Sequence, residues 1–428
     1  MPPNYDVIVV GAGPAGGMAA LSAARLGLRT ALIEEHREVG TPIHCSGKLQ
    51  LHAFREFNLP SHLILNTLQA GRFYAPNGAV ARVRRARPDS HVVDRGVFDR
   101  WLAVQAQEEG AELVVGTRLR AAERLNGTIR VTGERAGRSY AATARVVIDA
   151  EGARPVLPRT LGLDLPRRSV MGLQYQMSGV DLDGNDCPEV YLGTSSSPGF
   201  FAWLMPIGPG RGRVGLCVDP AFAPRAPLYY LERLIREHPV ASRRLRRAVI
   251  EQKLAGPIPV ISRRHRSTTD GMIVAGDAAG HVKATSGGGI YFSLIGGQLA
   301  AGAAAAYAGG RRAALTEYER RWRRRFGREL RFTSMVRTVL NRMSDVDLNA
   351  VVAALANVDE VRQTLEVHGD TAYQSRLLVP VLRQALHRRS AWPLTKMTLR
   401  LAIVGLQSLW TDGLLGGGRG GAEPDGSL

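Results

Sequence analysis

The sequence predicts an α/β protein in which a doubly wound parallel sheet is interrupted by an inserted antiparallel sheet and followed by a helical C-terminal region. Three observations carry this prediction. Tyr5-Asp6-Val7-Ile8-Val9-Val10 is an apolar strand entering the glycine turn Gly11-Ala12-Gly13-Pro14-Ala15-Gly16, which opens a helix. Gly271-Met272-Ile273-Val274-Ala275-Gly276-Asp277 is a second buried strand, ending in Gly-Asp. Between residues 165 and 257 the periodicity changes and alternating segments appear, the mark of half-buried antiparallel strands.

At 428 residues the chain can bury a large core and fill two or three lobes. We expect a discontinuous nucleotide-binding domain at 1–60, 92–164 and 257–310, and a substrate domain at 61–91 and 165–256. A helical region at 311–415 and a disordered tail at 416–428 complete the chain. Cys45, Cys187 and Cys217 are far apart, so neither a disulfide framework nor a metal site is expected. A cytoplasmic protein is expected, because the chain opens on a strand and no apolar run is long enough to span a bilayer. The net charge of +18 is nearly all arginine and comes without a zinc-finger, basic-zipper or RNP-type signature, which argues against nucleic acid. Two readings of the charge stay open: a solvated basic surface, or attraction to anionic lipid at the inner face of the cell membrane. For the second, residues 377–410 set Leu378, Val381, Leu382, Ala385 and Leu386 at helical spacing beside Arg383, His387, Arg388 and Arg389. The same apolar face would also serve to close the substrate lobe or to pack on a second subunit.

The elements follow in order. Residues 5–39 read as strand, tight turn, helix and strand, the opening unit of a Rossmann-like sheet, with glycines that let backbone approach a pyrophosphate at the helix N-terminus. Glu34 closes the unit at about 20 residues from the turn, where an acid hydrogen-bonds a ribose hydroxyl. Such a turn serves NAD, NADP and FAD alike. The strand ending in Gly276-Asp277 decides for FAD, since in flavoproteins of the aromatic-hydroxylase type this carboxylate stands beside the ribityl chain. Residues 92–102 lead into a helix ending near Gly110, and 112–115 form a strand. A hairpin-like stretch at 121–147 turns at Asn126-Gly127 and Ala136-Gly137. Segments 170–179, 189–193, 200–206 and 213–218 read as antiparallel strands, followed by a basic helix over 228–252. After Pro257 the chain returns to the nucleotide domain, forms a small-residue helix at 289–307, and beyond Arg311 is helical and arginine-rich.

Together these pieces resemble the geranylgeranyl reductase family, flavoproteins that saturate prenyl chains of lipids, chlorophyll or quinones. The resemblance covers residues 5–307. It rests first on Gly276-Asp277-Ala278-Ala279-Gly280-His281-Val282-Lys283-Ala284-Thr285-Ser286-Gly287-Gly288-Gly289-Ile290, where the triple glycine lets amides reach the flavin pyrimidine edge. It rests next on Gly40-Thr41-Pro42-Ile43-His44-Cys45-Ser46-Gly47-Lys48, which resembles the loop placing a cysteine near the reactive face of the flavin; here Ser46 stands between Cys45 and Gly47. The resemblance implies that FAD is lined by Gly11, Gly13, Ala15, Gly16, Glu34, Cys45, Ser46, Lys48, Arg95, Leu119, Asp277, Gly289 and Ile290. It also implies a prenyl pocket shaped by Tyr191, Gly199, Phe201 and Trp203, with Phe200 where relatives often have a glycine. Glu151-Gly152 stands where aromatic hydroxylases show Asp-Gly, a departure from their manner of docking NADPH.

The implied reaction adds hydrogen across an unpolarised prenyl double bond, with flavin N5 giving the hydride and a proton arriving at the other carbon in a dry pocket. Cys45 is the candidate catalytic residue by position. The electron donor, NAD(P)H, ferredoxin or another donor protein, is left open. The rival enzyme class is an FAD-dependent aromatic hydroxylase or a quinone-linked electron-transfer flavoprotein, and the non-enzymatic rival is a basic flavoprotein scaffold at a membrane.

Overall fold

The computed structural model describes residues 4–43, 45–165, 168–260, 265–368 and 372–377. The apolar run Tyr5–Val10 becomes the centre of a parallel sheet because both of its neighbours, Thr30–Ile33 and Arg138–Asp149, pair with it in parallel. Its residues alternate between two cores. Val7 and Val9 pack with the helices Pro14–Arg25 and Ile290–Ala308, while Ile8 and Val10 pack with Leu119, Ile129 and Val131 on the opposite face. Those residues belong to a meander of Thr117–Leu125, Thr128–Arg135 and Arg138–Asp149. Its two turns carry positive φ at both central residues, Asn126-Gly127 and Ala136-Gly137, as two-residue hairpins require. The strands Met272–Val274 and Thr268–Thr269 continue the sheet on one side and Glu112–Val114 on the other.

A seven-stranded sheet holds Val249–Pro259, Ser169–Ser178, Arg211–Val218, Ala202–Gly208, Glu189–Tyr191, Ala70–Tyr74 and Val80–Arg84 in that order. It corrects the expectation of one helix over 228–252. The helix Pro227–Glu237 stops where Pro239 forces His238 into extended backbone, and a short helix Ala241–Leu245 follows. Residues from Val249 then pair with Ser169–Ser178. That edge strand keeps the chain in the sheet as far as Pro259, beyond the return expected at 257.

The helix Ala314–Leu340 ties the two sheets together. Near its start Tyr318 donates to the carbonyl of Val274 at 3.0 Å, and Glu319 accepts from Ser267 N–H at 2.7 Å. Its far end reaches the second sheet, and a capping box between Ser344 and Asp347 starts the next helix, Asp345–Asn357. One expectation about apolar runs is overturned: Ile290–Ala308 is long and apolar enough to cross a membrane by length and composition. It is nonetheless mostly buried, and crosses Pro14–Arg25 where a Cβ on Gly297 would stand 2.2 Å from the carbonyl of Ala15. The amphipathic stretch expected beyond Leu377 and the tail at 416–428 lie outside the described residues.

Candidate active site

A cavity of about 1520 Å³ runs from the C-terminal ends of the parallel strands to the antiparallel sheet and the C-terminal helices. At its nucleotide end Gly11 has a φ of +91°, and a Cβ there would meet the carbonyl oxygen of Ala150 at 2.4 Å. The Glu34 carboxylate accepts from Ala12 N–H at 2.8 Å and from His36 N–H at 3.0 Å, which fixes it beside the turn. Gly13 differs from its neighbours: a Cβ there would meet no protein atom within 4 Å. That open space at the start of Pro14–Arg25 is what a bound dinucleotide needs, and the helix turns its unpaired N–H groups toward it. Gly16 does not line the cavity; its Cβ would fall 1.7 Å from the carbonyl oxygen of Gly11, so it serves strand–helix contact. Glu151 lines the cavity with a carboxylate oxygen already accepting from Val156 and Leu157 N–H at 2.7 and 2.9 Å.

The second nucleotide strand brings Asp277 into the cavity. Burial pushes its carboxyl above the usual range, against the pull of the Arg95 guanidinium. Gly289, Ile290, Ala15 and Leu119 also line this part. Gly287, Gly288 and Gly289 all line the cavity, and larger residues would crowd its walls: a Cβ on Gly289 would come 3.1 Å from Asp277 Oδ1, and one on Gly288 3.3 Å from Lys283 Cε. Behind it, His281 accepts Gly276 N–H on Nδ1 at 3.1 Å and stacks on Trp322. Burial, reinforced by His265, holds His281 well below its ordinary value, so it is neutral.

Cys45 lies where the two halves meet. Its Sγ accepts Gly47 N–H at 3.3 Å, and the Arg95 guanidinium lies within hydrogen-bonding reach. Arg95 pairs with Asp99 at 2.8 Å; burial works against its charge, but Asp99 and Cys45 outweigh burial and hold it above its ordinary value. From the antiparallel sheet, Gln174 Nε2 donates to the Cys45 carbonyl at 3.4 Å while Trp203 Nε1 donates to Gln174 Oε1 at 3.1 Å. Arg213, only 1% exposed, donates to the Ser46 carbonyl at 2.8 Å. Gly47 is required at this crossing, since its φ is +81° and a Cβ would lie 2.3 Å from the Val93 carbonyl oxygen. Ser46 and Lys48 line the cavity as well, Lys48 pairing with Asp89 at 3.4 Å.

Beyond Cys45 the lining turns apolar. Gly199, Phe201 and Trp203 contribute from the strand Ala202–Gly208 and the turn leading into it, and Val336, Leu340, Met343, Val351 and Leu355 from the helices Ala314–Leu340 and Asp345–Asn357 and the turn between them. Tyr191 corrects the expectation for this pocket. Its ring is wholly buried away from the cavity, stacked on Tyr74 at 5.2 Å with its hydroxyl donating to Glu189, while Val190 and Leu192 line the cavity instead. Alternate residues of a strand face opposite sides, and the expectation chose the wrong parity. Arg337 crosses the base of this arm, donating to the carbonyls of Ala284 at 3.0 Å and Gly199 at 3.3 Å, over the Phe200 ring. Burial lowers it to about 10, and pushes the neighbouring Cys217 thiol up to about 12.

Sequence reasoning missed Gln174, Arg213, Lys283 and Arg337. Lys283 had a signal, being one of four lysines in the chain and lying four residues before the first glycine of the triple-glycine turn. The others become visible only when the two sheets are brought together.

Comparison with known proteins bears on this geometry. Residues 6–157 match the family described as FAD dependent oxidoreductase, and residues 169–256 that described as geranylgeranyl reductase catalytic domain. The chain is 33% identical over 360 residues to the digeranylgeranylglycerophospholipid reductase of Methanocaldococcus jannaschii, covering 82% of this chain and 90% of that one. It is 33% identical over 370 residues to digeranylgeranylglycerophospholipid reductase 2 of Methanopyrus kandleri, covering 84% and 92%. Among solved structures, a geranylgeranyl bacteriochlorophyll reductase-like protein from Thermoplasma acidophilum superposes with a TM-score of 0.81 at 26% identity, covering 92% of this chain and 99% of that one. The halogenase PltM, solved with FAD, shares the fold at a TM-score of 0.68 and 17% identity, covering 94% and 96%.

Proposed function

The chain belongs to the geranylgeranyl reductase family, and from that premise we propose that it reduces the C=C bonds of prenyl chains carried by a glycerophospholipid. It is an FAD-dependent oxidoreductase. The observation that carries the reading is the continuity of the cavity, which joins a dinucleotide site to an apolar arm with Cys45 between them. Glu34 and the turn at Ala12 would hold the adenosine ribose, the start of Pro14–Arg25 the pyrophosphate, Asp277 the ribityl side, and the amides around Gly289 the pyrimidine edge. When bound and reduced, FAD would supply a hydride, that is two electrons with one hydrogen, to one alkene carbon, and one further proton must reach the other carbon. The rest is the work of the side chains. Trp203, Phe201 and the helix residues exclude water and align the tail. Cys45 faces the alkene and delivers a proton to one carbon, with the Arg95 guanidinium placed where negative charge is left on sulfur. A tail of about twenty carbons costs on the order of 10 kcal/mol to expose to water, which favours collecting it at a membrane surface.

Cys45→Ser tests the reading. It should keep its FAD and fold while turnover of prenyl lipid falls on the order of 10²-fold. Turnover equal to that of the unaltered enzyme would remove Cys45 as the proton donor.

A further inference from the structure

We propose that the exposed segment 220–229, at the rim of the cavity, is a docking surface for an anionic phospholipid bilayer. The proposal rests on the prenyl-lipid reading, and it concerns a surface distinct from the residues beyond 377. The segment is Pro220-Ala221-Phe222-Ala223-Pro224-Arg225-Ala226-Pro227-Leu228-Tyr229, in which Arg225 is the one charged residue. Phe222, Leu228 and Tyr229 are 44%, 46% and 46% exposed. Single exposed apolar side chains are ordinary on a soluble surface. Three large ones within eight residues, with no acid among them, mark an interaction site.

The segment is held out rather than left loose. Asp219, itself 3% exposed, pins the base: its carboxylate accepts from Ala221 N–H at 3.0 Å and from Arg168 at 2.7 Å, and its carbonyl accepts from Phe222 N–H at 2.9 Å. The other end is anchored by Tyr230, buried in the core beneath the seven-stranded sheet. Pro220, Pro224 and Pro227 have no N–H to desolvate, which lowers the cost of taking this backbone out of water.

The patch is continuous with the cavity. Phe222 is one of the cavity's lining residues, and its ring packs over Gly199, where a Cβ would come within 2.9 Å of it. The guanidiniums of Arg225 and Arg233 flank the Tyr229 ring at 5.9 and 5.8 Å. Arg233 also pairs with Glu237, whereas Arg225 has no acidic partner among the described residues. An apolar tip with arginine at its shoulder suits the boundary between acyl chains and lipid phosphates. An acidic protein would call for a charged patch, and here apolar area dominates. Seated this way, the bilayer would face the rim through which a prenyl tail reaches Trp203 and Cys45.

The test compares the FAD-loaded full chain with the L228E/Y229E variant, neither residue lining the cavity, by co-sedimentation with phosphatidylglycerol–phosphatidylcholine vesicles at low and high salt. The variant should bind at least about tenfold more weakly, and salt should weaken binding of the unaltered chain. Both proteins should keep FAD and reduce a short, water-soluble prenyl compound equally. Equal vesicle binding by the two would overturn the proposal, as would failure of the unaltered chain to bind. A change of oligomeric state in the variant without vesicles would assign the patch to a second copy of the chain instead. If the unaltered chain binds through this patch but reduces no prenyl compound, the reductase reading falls and the docking surface stands.

Discussion

Gly13 and Gly16 lie in one turn and make opposite demands on a substitution. A methyl group on Gly13 enters open cavity, whereas one on Gly16 collides with the Gly11 carbonyl. Gly13→Ala should therefore fold with its stability changed by less than about 0.5 kcal/mol while its FAD affinity falls at least about tenfold. Gly16→Ala should lose on the order of 3 kcal/mol of stability even without FAD. Thermal unfolding of the apoproteins and FAD titration separate the two, and equal behaviour would show that the space at Gly13 is not the dinucleotide site. At this scale much of the site was legible, because glycine spacing and the Gly276-Asp277 strand end report backbone geometry that few other residues permit. Side-chain direction was less so. Tyr191 lies in a segment too short for its pattern to fix which face is buried, and Gln174 or Arg213 gains meaning only across the interface with Cys45.

Elements differ in how much they owe to their own residues. The strand Tyr5–Val10 and the helix Pro14–Arg25 are written locally, in an apolar run, a glycine turn and Pro14 in the first turn. The basic stretch after Leu228 misled because its apolar residues suit a helix as far as Glu237, while Val249–Pro259 is a strand only by virtue of its partner Ser169–Ser178. Ile290–Ala308 is apolar on all sides because it is clamped between Pro14–Arg25 and Ala314–Leu340. At the start of this layer, His281 makes stability depend on pH. Its folded value is depressed, so the unfolded chain takes up the proton first, and stability present above pH 6.5 is lost as pH falls below it. Urea unfolding of the apoprotein should show this loss at up to about 1.4 kcal/mol per pH unit, and His281→Gln should flatten it. An unchanged slope in the variant would assign the loss to other groups.

Across the whole molecule, the two sheets depend on contacts that neither half makes alone: Arg213 and Gln174 reach from the second sheet to the Cys45 loop, and Arg337 binds carbonyls of both halves. Arg337→Met should cost about 2 kcal/mol, since it leaves buried carbonyls without a charged donor, and should raise KM for a prenyl substrate more than it weakens FAD. Equal losses of FAD and substrate would mean that this arginine only supports the fold. The central claim, that one cavity brings an FAD site and a prenyl tail together for reduction, is open to a direct measurement. The FAD-loaded protein is reduced chemically without oxygen, mixed with digeranylgeranylglycerophospholipid, and followed by flavin absorbance and by mass spectrometry of the lipid. The flavin should reoxidise as the lipid gains two hydrogens per double bond, with no oxygen present. A flavin that stays reduced until air is admitted, with the lipid mass unchanged, would contradict the account.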